Sequence, residues 1–568
     1  MLRHRVLVLL ALLCLVCSAV CAEQPSQVNV RDFGAKGDKV TDDTAAFQAA
    51  LNSVAESGGT VFVPVGNYLI NTHLTVPENV TLEGIWKIPI AWRAWTGSTL
   101  LAVEGEGSEE GPPFITLNTN STVKGIAVFY PRQQVDGIRK YPWCIACAPA
   151  DNASIVDCLL VNPYNGVDFG TNPSGRHYIR GLYGQPLRRG LFVDKCFDVG
   201  RVENVHFWPF WFWGEETPIG KWMAENSEAF IFGRTDWEYV FNTFCFGYGT
   251  GYRFIHTKDG QMNGNLLGIG ADAANRAIVI EATQASGLLI TNGEFVAFQG
   301  DDPVEVVTTK DFNGVVNFQN CAFWGSTRNI ARLDGSGTVS FNGCNFVQWD
   351  RQRTKAPAIV TYGGNLIVTG CNFRETSPQI ALRDRAETAV VTGNRAAGPK
   401  AVTNYCKANL RMGANAFTPL PTRPKEGKGA IVVDDVDTPG NVIYIGDWRM
   451  AGNSPEQHYG YYLGTRWAKR GAGEARAMFV PTIPRAGRYT VFAYFGPDPA
   501  HDHASDAPVT LRYSGGEKTI RVDLRSITGK WIKLGTFRFA AGRKGSVTFS
   551  NKADGNVMAD AVKLAPAR

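Results

Sequence analysis

Four segments in the later half of this chain are copies of one another, and a short repeat restricts the available folds more than any single motif. Val316-Asn317-Phe318-Gln319-Asn320-Cys321-Ala322-Phe323 aligns with Val339-Ser340-Phe341-Asn342-Gly343-Cys344-Asn345-Phe346. Leu366-Ile367-Val368-Thr369-Gly370-Cys371-Asn372-Phe373 and Ala389-Val390-Val391-Thr392-Gly393-Asn394 follow the same pattern. Positions 321, 344, 371 and 394 are spaced by 23, 27 and 23 residues, the length of one solenoid coil of three short strands. One coil cannot bury its apolar face alone, so each is stable only against its neighbours. Looser copies at 80–84, 121–126, 154–158, 201–205 and 288–293 are unevenly spaced, which marks insertions. The pattern predicts an all-β solenoid whose strands stack from coil to coil, with Asn, Gly and Cys stacked at a coil corner.

Ahead of the repeats, Ala46, Phe47, Ala50, Leu51 and Val54 recur at helical spacing. Thr41 or Asp42 is the expected N-cap, Asp42 and Asp43 suit the positive end of the helix dipole, and Ser57-Gly58-Gly59 ends the helix. Such a helix has one surface to cover here, the open end of the solenoid. Three ordered blocks surround it: Asp32-Phe33-Gly34-Ala35-Lys36-Gly37-Asp38, then Thr41-Asp42-Asp43-Thr44-Ala45-Ala46, then 58–68. They resemble the opening of the pectate lyase superfamily that includes the rhamnogalacturonase and epimerase-like proteins. The resemblance implies a right-handed parallel β-helix with this N-terminal helix capping its open end. It implies little about chemistry, because this segment caps the fold rather than forming an active site.

Residues 1–22 read as a signal peptide. Arg3, His4 and Arg5 precede an apolar run at 6–16, and Val20-Cys21-Ala22 offers a cleavage site. Lipidation is the competing reading, given Cys14, Cys17 and Cys21. The expected mature protein is secreted, extracellular or periplasmic, with no membrane association after signal cleavage. A net charge of +5, reduced to +3 on loss of Arg3 and Arg5, comes without a basic tract, which argues against nucleic acid. Nine cysteines follow the signal, an odd number that rules out complete pairing within the chain. Most lie in apolar strand contexts and read as small buried hydrophobes. Cys144 and Cys147 form a CxxC with no second copy, so no metal is assigned to them.

The coil pattern fades at Gly398-Pro399, and 415–428 is rich in Pro, Gly and charge, as a linker is. Short strands with turn signals then predict a C-terminal β-sandwich over 429–568. Val433-Asp434-Asp435, Tyr461-Tyr462-Leu463, 484–489, 504–509, 531–537 and 557–562 resemble the golvesin C-terminal-like domain, which is also appended to xanthan lyase-like enzymes. The resemblance implies an accessory, glycan-binding sandwich. Asp506 and Asp560 read as loop-pinning carboxylates in preference to cation ligands. The division is therefore signal 1–22, β-helix 23–414, linker 415–428 and sandwich 429–568.

Insertions on a solenoid build its binding surface, and the largest lie between 84 and 290. Two constellations stand out there. The first holds Asp168, Arg176, His177, Arg180, Tyr183, Arg188, Arg189, Asp194 and Asp198; the second runs from His206 to Asn242. Asp236 and Glu238, spaced i, i+2, would share one strand face with Trp237 on the other, and are the expected acid and base of glycoside hydrolysis. Arg176, His177, Arg188, His206 and Tyr239 are the expected substrate contacts, and Trp208, Trp211 and Trp213 the stacking platforms. The bland readings stand beside these: Trp208 to Trp213 as core packing, Arg188-Arg189 as ion-paired surface, Asp236 and Glu238 as partners of Arg234 or Arg253. Polygalacturonase, calcium-dependent pectate lyase and alginate epimerase motifs are missing, apart from an isolated Asp301-Asp302. The expected function is a polysaccharide-active enzyme that cleaves glycosidic bonds, by hydrolysis ahead of lyase-type elimination, with a non-catalytic glycan-binding or cell-surface protein as the alternative. No cofactor is called for, Ca2+ being the one ion left open.

Overall fold

A computed structural model describes residues 26–85, 96–351, 354–398, 402–438, 440–451, 460–496, 502–526 and 529–567; the signal segment lies outside them. The chain forms two compact bodies, one ending at Trp213 and the other starting at Gly214.

The first body is a stack of coils with three parallel sheets. The first sheet holds Leu74–Val76, Ile115–Leu117, Trp143–Cys147, Asn165–Phe169 and Arg189–Val193. The second runs from Gly59–Val63 through Val80–Gly84 and Thr122–Lys124 to Arg201–Glu203, and the third from Gly66–Ile70 through Ser98–Ala102 and Ala127–Phe129 to His206–Phe207. Ser154–Leu160 and Tyr178–Gly184 each bend through the corner between these two sheets and pair in both. One left-handed residue makes each bend: Gly125, Asp157, Gly181 and Asn204 all have φ between 52° and 66°. Gly and Asn tolerate that region best, which is why they punctuate the repeat. The corner before the second sheet is made the same way by Asn79, Asn120, Asn152 and Arg176. Its amides stack: Asn120 Nδ2 donates to Asn79 Oδ1 at 2.7 Å and Asn152 Nδ2 to Asn120 Oδ1 at 2.8 Å.

The capping helix spans Thr44–Ser53 and buries Phe47, Ala50 and Leu51. Phe47 meets the Tyr68 ring edge-on at 5.1 Å, and Gln48 bonds both backbone groups of Thr75. Its N-cap differs from expectation. Asp43 holds the cap position but turns its carboxylate to the amides of Lys36 and Gly37, and Asp42 takes the Thr44 amide at 3.0 Å. The Thr41 hydroxyl is bound to Asp38 instead.

The second body repeats the three-sheet coil. Its strands include Glu228–Phe232, Thr250–Phe254 and Arg276–Ile280 in one sheet, Leu288–Thr291, Val315–Gln319 and Thr338–Asn342 in the next, and Glu294–Ala297, Ala322–Trp324 and Asn345–Phe346 in the third. Positions 321, 344, 371 and 394 stack as the repeat requires. The Cys344 amide lies 3.3 Å from Cys371 Sγ, the Cys371 amide donates to Asn394 Oδ1 at 2.8 Å, and the Asn394 amide donates to Asn415 Oδ1 at 2.9 Å. Inside, Phe318 stacks on Phe341 at 5.1 Å and Phe346 on Phe373 at 4.7 Å. All nine described cysteines are free thiols, and only Cys406 is not fully buried. Val402–Asn404 and Asn409–Gly413 pair with the preceding coil, and so does Ala416–Thr418, just beyond the expected end at 414.

Antiparallel pairing begins at Ile431–Asp434. One sheet orders Ile431–Asp434, Ala561–Pro566, Gly487–Phe495 and Lys530–Phe539. The other orders Val442–Ile445, Arg476–Phe479, Ser546–Ser550, Ala507–Tyr513 and Gly516–Val522. Val491, Ala493, Phe479, Val509 and Phe549 fill the space between them, as a sandwich requires. Glu426, in the linker, ties down to this domain through Tyr461, Trp531 and Lys563.

Candidate functional site

The coil register aligns a set of side chains on the first sheet of the first body. Trp143 pairs with Asn165 and Asn165 with Arg189, on three successive coils. Three residues further along the strands, Ala146 pairs with Asp168 and Asp168 with Phe192. The Trp143 ring stacks on Phe192 at 6.4 Å, and the Arg189 guanidinium lies 5.8 Å from the Trp143 ring centre. The insertion at 105–113 brings Glu109 and Glu110 to the same place. Glu109 accepts from Tyr164 Oη at 3.0 Å and lies 4.0 Å from Arg189. Together these residues line a groove of about 720 Å3 with Thr116, Lys140, Thr171 and Asn172.

The groove is polar but its charges are held in place. Asp168 is 4% exposed, and its Oδ1 accepts from the amides of Gly170 at 2.9 Å and Thr171 at 2.8 Å. Asn165 is 1% exposed; its Nδ2 donates to Tyr141 O at 3.3 Å, and its Oδ1 has no hydrogen-bond partner. Burial and the adjacent Glu109 carboxylate push the Tyr164 phenol up to about 12, so it stays protonated and serves as a donor. An aromatic face beside two cations and three carboxylates fits a sugar with a charged substituent: the ring covers the apolar face, and the ionic groups address what it carries.

The expected acid and base do not form a pair. Trp237 is left-handed, φ 59°, and the strand starts only at Glu238–Phe241. That conformation breaks the alternation on which a shared face depends. Glu238 therefore turns inward with 0% exposure, while Trp237 and Tyr239 stand outward at 57% and 40%. Asp236 is engaged by both guanidinium nitrogens of Arg234, and its Oδ1 accepts from Gln284 at 2.9 Å. Trp237 Nε1 donates to Tyr239 Oη at 3.1 Å, so Tyr239 belongs to an exposed aromatic pair in the second body.

The other expected residues are scattered over the first body. Arg176 occupies the corner position held by Asn in the earlier coils, and ion-pairs with Asp151 and Asp198. His177 is buried at 0% exposure; a ring nitrogen sits 3.0 Å from Ser174 O, and the ring meets Phe169 edge-on at 5.7 Å. It is a core residue rather than a substrate contact. Arg188 lies beside Tyr164: its amide donates to Tyr164 O at 2.7 Å, and its charge acts on the Tyr164 phenol. His206, Trp208 and Trp211 gather on the third sheet instead. His206 lies 5.8 Å from the Tyr183 ring and 6.0 Å from those of Trp208 and Phe210, and burial lowers its pKa. Phe210 packs against Ala127, Leu159 and Val161, with Trp211 beside it. Gln185 fixes this loop by accepting the amides of Trp211 and Phe212 and donating to Phe212 O. Trp213 ends the body, partly buried.

Trp143, Asn165, Glu109 and Lys140 escaped sequence reasoning. The signal was present in the spacing: 143, 165 and 189 are 22 and 24 residues apart, one coil each.

Within the second body, a cavity of about 620 Å3 separates the helix Pro218–Asn226 and residues 298–301 from the sandwich loop at 446–449. Six of its eight charged side chains pair with one another. Arg449 binds Glu215 at 2.8 Å and Asp447 at 3.0 Å, Arg351 pairs with Asp447, and Lys221 lies 3.3 Å from Glu216. Burial, with Arg449 and Arg466 close by, lowers Arg351 to about 10. This is a joint between coil and sandwich rather than a substrate groove.

Residues 27–129 match the family model described as rhamnogalacturonase A/epimerase, pectate lyase-like. Residues 431–566 match the golvesin C-terminal domain. Both ends carry the resemblance read from the sequence. Among curated relatives, a xanthan lyase from Bacillus sp. (strain GL1) is 35% identical over 163 residues, 28% of this chain and 17% of the relative. A mannuronan C5-epimerase, AlgE5 of Azotobacter vinelandii, is 38% identical over 107 residues, 16% of this chain and 11% of the relative. The chain thus spans less than a fifth of either. Among solved structures, the N-terminal fragment of gene product 12 from bacteriophage phi29 is 13% identical, with 70% of this chain and 72% of that one covered and a TM-score of 0.39.

Proposed function

We propose that the protein cleaves glycosidic bonds of a polysaccharide bearing acidic sugars, by hydrolysis, in the groove of the first body. The observation that carries this reading is the register of Trp143, Asn165 and Arg189 on three successive coils, beside an Asp168 held by two amides. Trp143 is the platform for a sugar ring. Lys140 and Arg189 grip its anionic group. Asp168 and Glu109 are the carboxylate pair that moves protons at the scissile bond and activates water. Relatives named for xanthan and mannuronan support the substrate class. The protonated state of Tyr164 supports hydrolysis: a phenol held near 12 and already donating to Glu109 is a poor base for elimination. The N-terminal signal segment supports action outside the cell, and no described helix is long and apolar enough to cross a membrane.

Purified protein incubated with xanthan, alginate and pectin separates the readings. New reducing ends without the ultraviolet absorbance of an unsaturated uronate are expected. Asp168→Asn is expected to lower turnover by about 10²–10⁴-fold, the usual loss of a proton-transfer group, while Trp143→Ala raises KM. Products with that absorbance would establish elimination instead, and retention on a glycan column without products would establish the binder.

A further inference from the structure

Three carboxylates meet inside the sandwich with no exposed surface. Asp434 ends the strand Ile431–Asp434, Asp435 follows it, and Asp560 lies between Val557–Ala559 and Ala561–Pro566. Pairing of Asp434 with Ala561, and the bond from the Asp435 amide to Asp560 O at 2.8 Å, fixes them side by side. One oxygen of each lies within 4.8 Å of the others, and all three residues are 0% exposed.

Two guanidiniums stand near them. Arg466 Nε is 3.9 Å from Asp435 Oδ2, and Arg423 is 3.8 Å from Asp434 Oδ1 but closer, at 2.9 Å, to Asp437. Buried charge is costly unless something pairs with it.

Two further features point at a ligand. Thr465, 1% exposed, has its hydroxyl beside Asp560 and no hydrogen bond of acceptable geometry; Asp434 Oδ2 has no partner either. The missing side chain of Gly460 lets two oxygens close in on its Cα: a methyl there would meet Gly464 O at 2.2 Å and Asp560 Oδ2 at 2.7 Å. A carbonyl, a hydroxyl and three carboxylates therefore open on one small volume. These are all-oxygen donors, the set that selects hard divalent cations. Oxygens on opposite sides of a Ca2+ ion lie about 4.6–5.2 Å apart, wider than Mg2+ requires.

We propose that Asp434, Asp435 and Asp560 bind one structural Ca2+ ion in the sandwich, with Thr465 and the Gly464 carbonyl completing its shell. The ion places positive charge among the three carboxylates. It also ties the strand Ile431–Asp434 to the segment at 460–465, whose Tyr461 amide donates to Asp560 and whose Tyr461 hydroxyl bonds Glu426 in the linker.

The test uses the full chain, stripped of metal on a chelating resin and dialysed against CaCl2. One Ca2+ per chain is expected on the sandwich, lost in Asp560→Asn, with a Ca2+-dependent rise in the melting temperature of wild type only. Hydrogen exchange on the wild type needs no variant: Ca2+ should protect peptides over 431–438 and 557–563. Should Asp560→Asn fail to fold, Asp434→Asn and this exchange readout decide. No bound Ca2+, Ca2+ kept in full by a folded variant, or protection confined to the coils would each overturn the site.

Discussion

Glu305 sits on the strand Val304–Thr308 with 0% exposure, and neither of its carboxylate oxygens finds a hydrogen-bond partner. Burial raises its pKa well above 4.5, and the nearby Thr327 hydroxyl opposes this only in part. The consequence for stability has a definite sign. The folded chain keeps this carboxyl neutral, while the unfolded chain ionises it as pH passes about 4.5. The native state is therefore favoured below that pH, and this contribution is lost as pH rises toward the folded value. Glu305→Gln removes the difference. Its urea midpoint is expected to exceed wild type at pH 7 and to match it near pH 4. An equal midpoint shift at both values would mean that the carboxyl carries no linkage.

At the scale of elements, the coil corners decide the fold. Asn79, Asn120 and Asn152 are left-handed residues whose amides also bond from coil to coil. Asn120→Ala loses both properties and is expected to cost about 1–2 kcal/mol from the backbone alone. Asn120→Gly keeps the backbone and loses only the ladder. Denaturation midpoints should fall in the order wild type, Gly, Ala; equal losses in the two variants would assign the whole cost to the amide bonds. These corners were also what the sequence displayed. Period, corner residues and apolar strands are local or repeated, so 321, 344, 371 and 394 could be aligned by eye. Asp236 and Glu238 could not be placed in that way. A single left-handed residue, Trp237, reverses which side chains face out, and nothing in its composition announces that conformation. The groove was hidden for a different reason. Trp143, Asn165 and Arg189 are neighbours only through coil register, and an insertion of unknown path delivers Glu109. Density of aromatic and charged residues at 206–242 marks instead an aromatic patch braced by Gln185 and a strand whose Glu238 turns to the core.

At the largest scale, the second body combines two unlike architectures whose junction is ionic. Glu215 and Arg351 on the coil side meet Asp447 and Arg449 on the sandwich side, and Arg466, buried in the sandwich, reaches Asp350 O at 3.4 Å. Isolated exposed pairs are worth under about 1 kcal/mol, but this network is largely shielded: Arg351 is 13% exposed and Arg449 23%. Reversing one member does more than delete a pair, because it sets like charges together. Arg449→Glu would face Glu215 and Asp447 at once. A loss of about 1–2 kcal/mol would raise the open fraction roughly tenfold, and proteolysis of the Pro-rich linker at 419–428 should accelerate accordingly, since cleavage samples local opening. High salt should shrink the gap between variant and wild type by screening the repulsion. Glycan cleavage on soluble oligosaccharides should keep its wild-type kcat, because every residue assigned to the groove belongs to the first body. Unchanged linker proteolysis in Arg449→Glu would mean that apolar contact, not this network, holds coil and sandwich together.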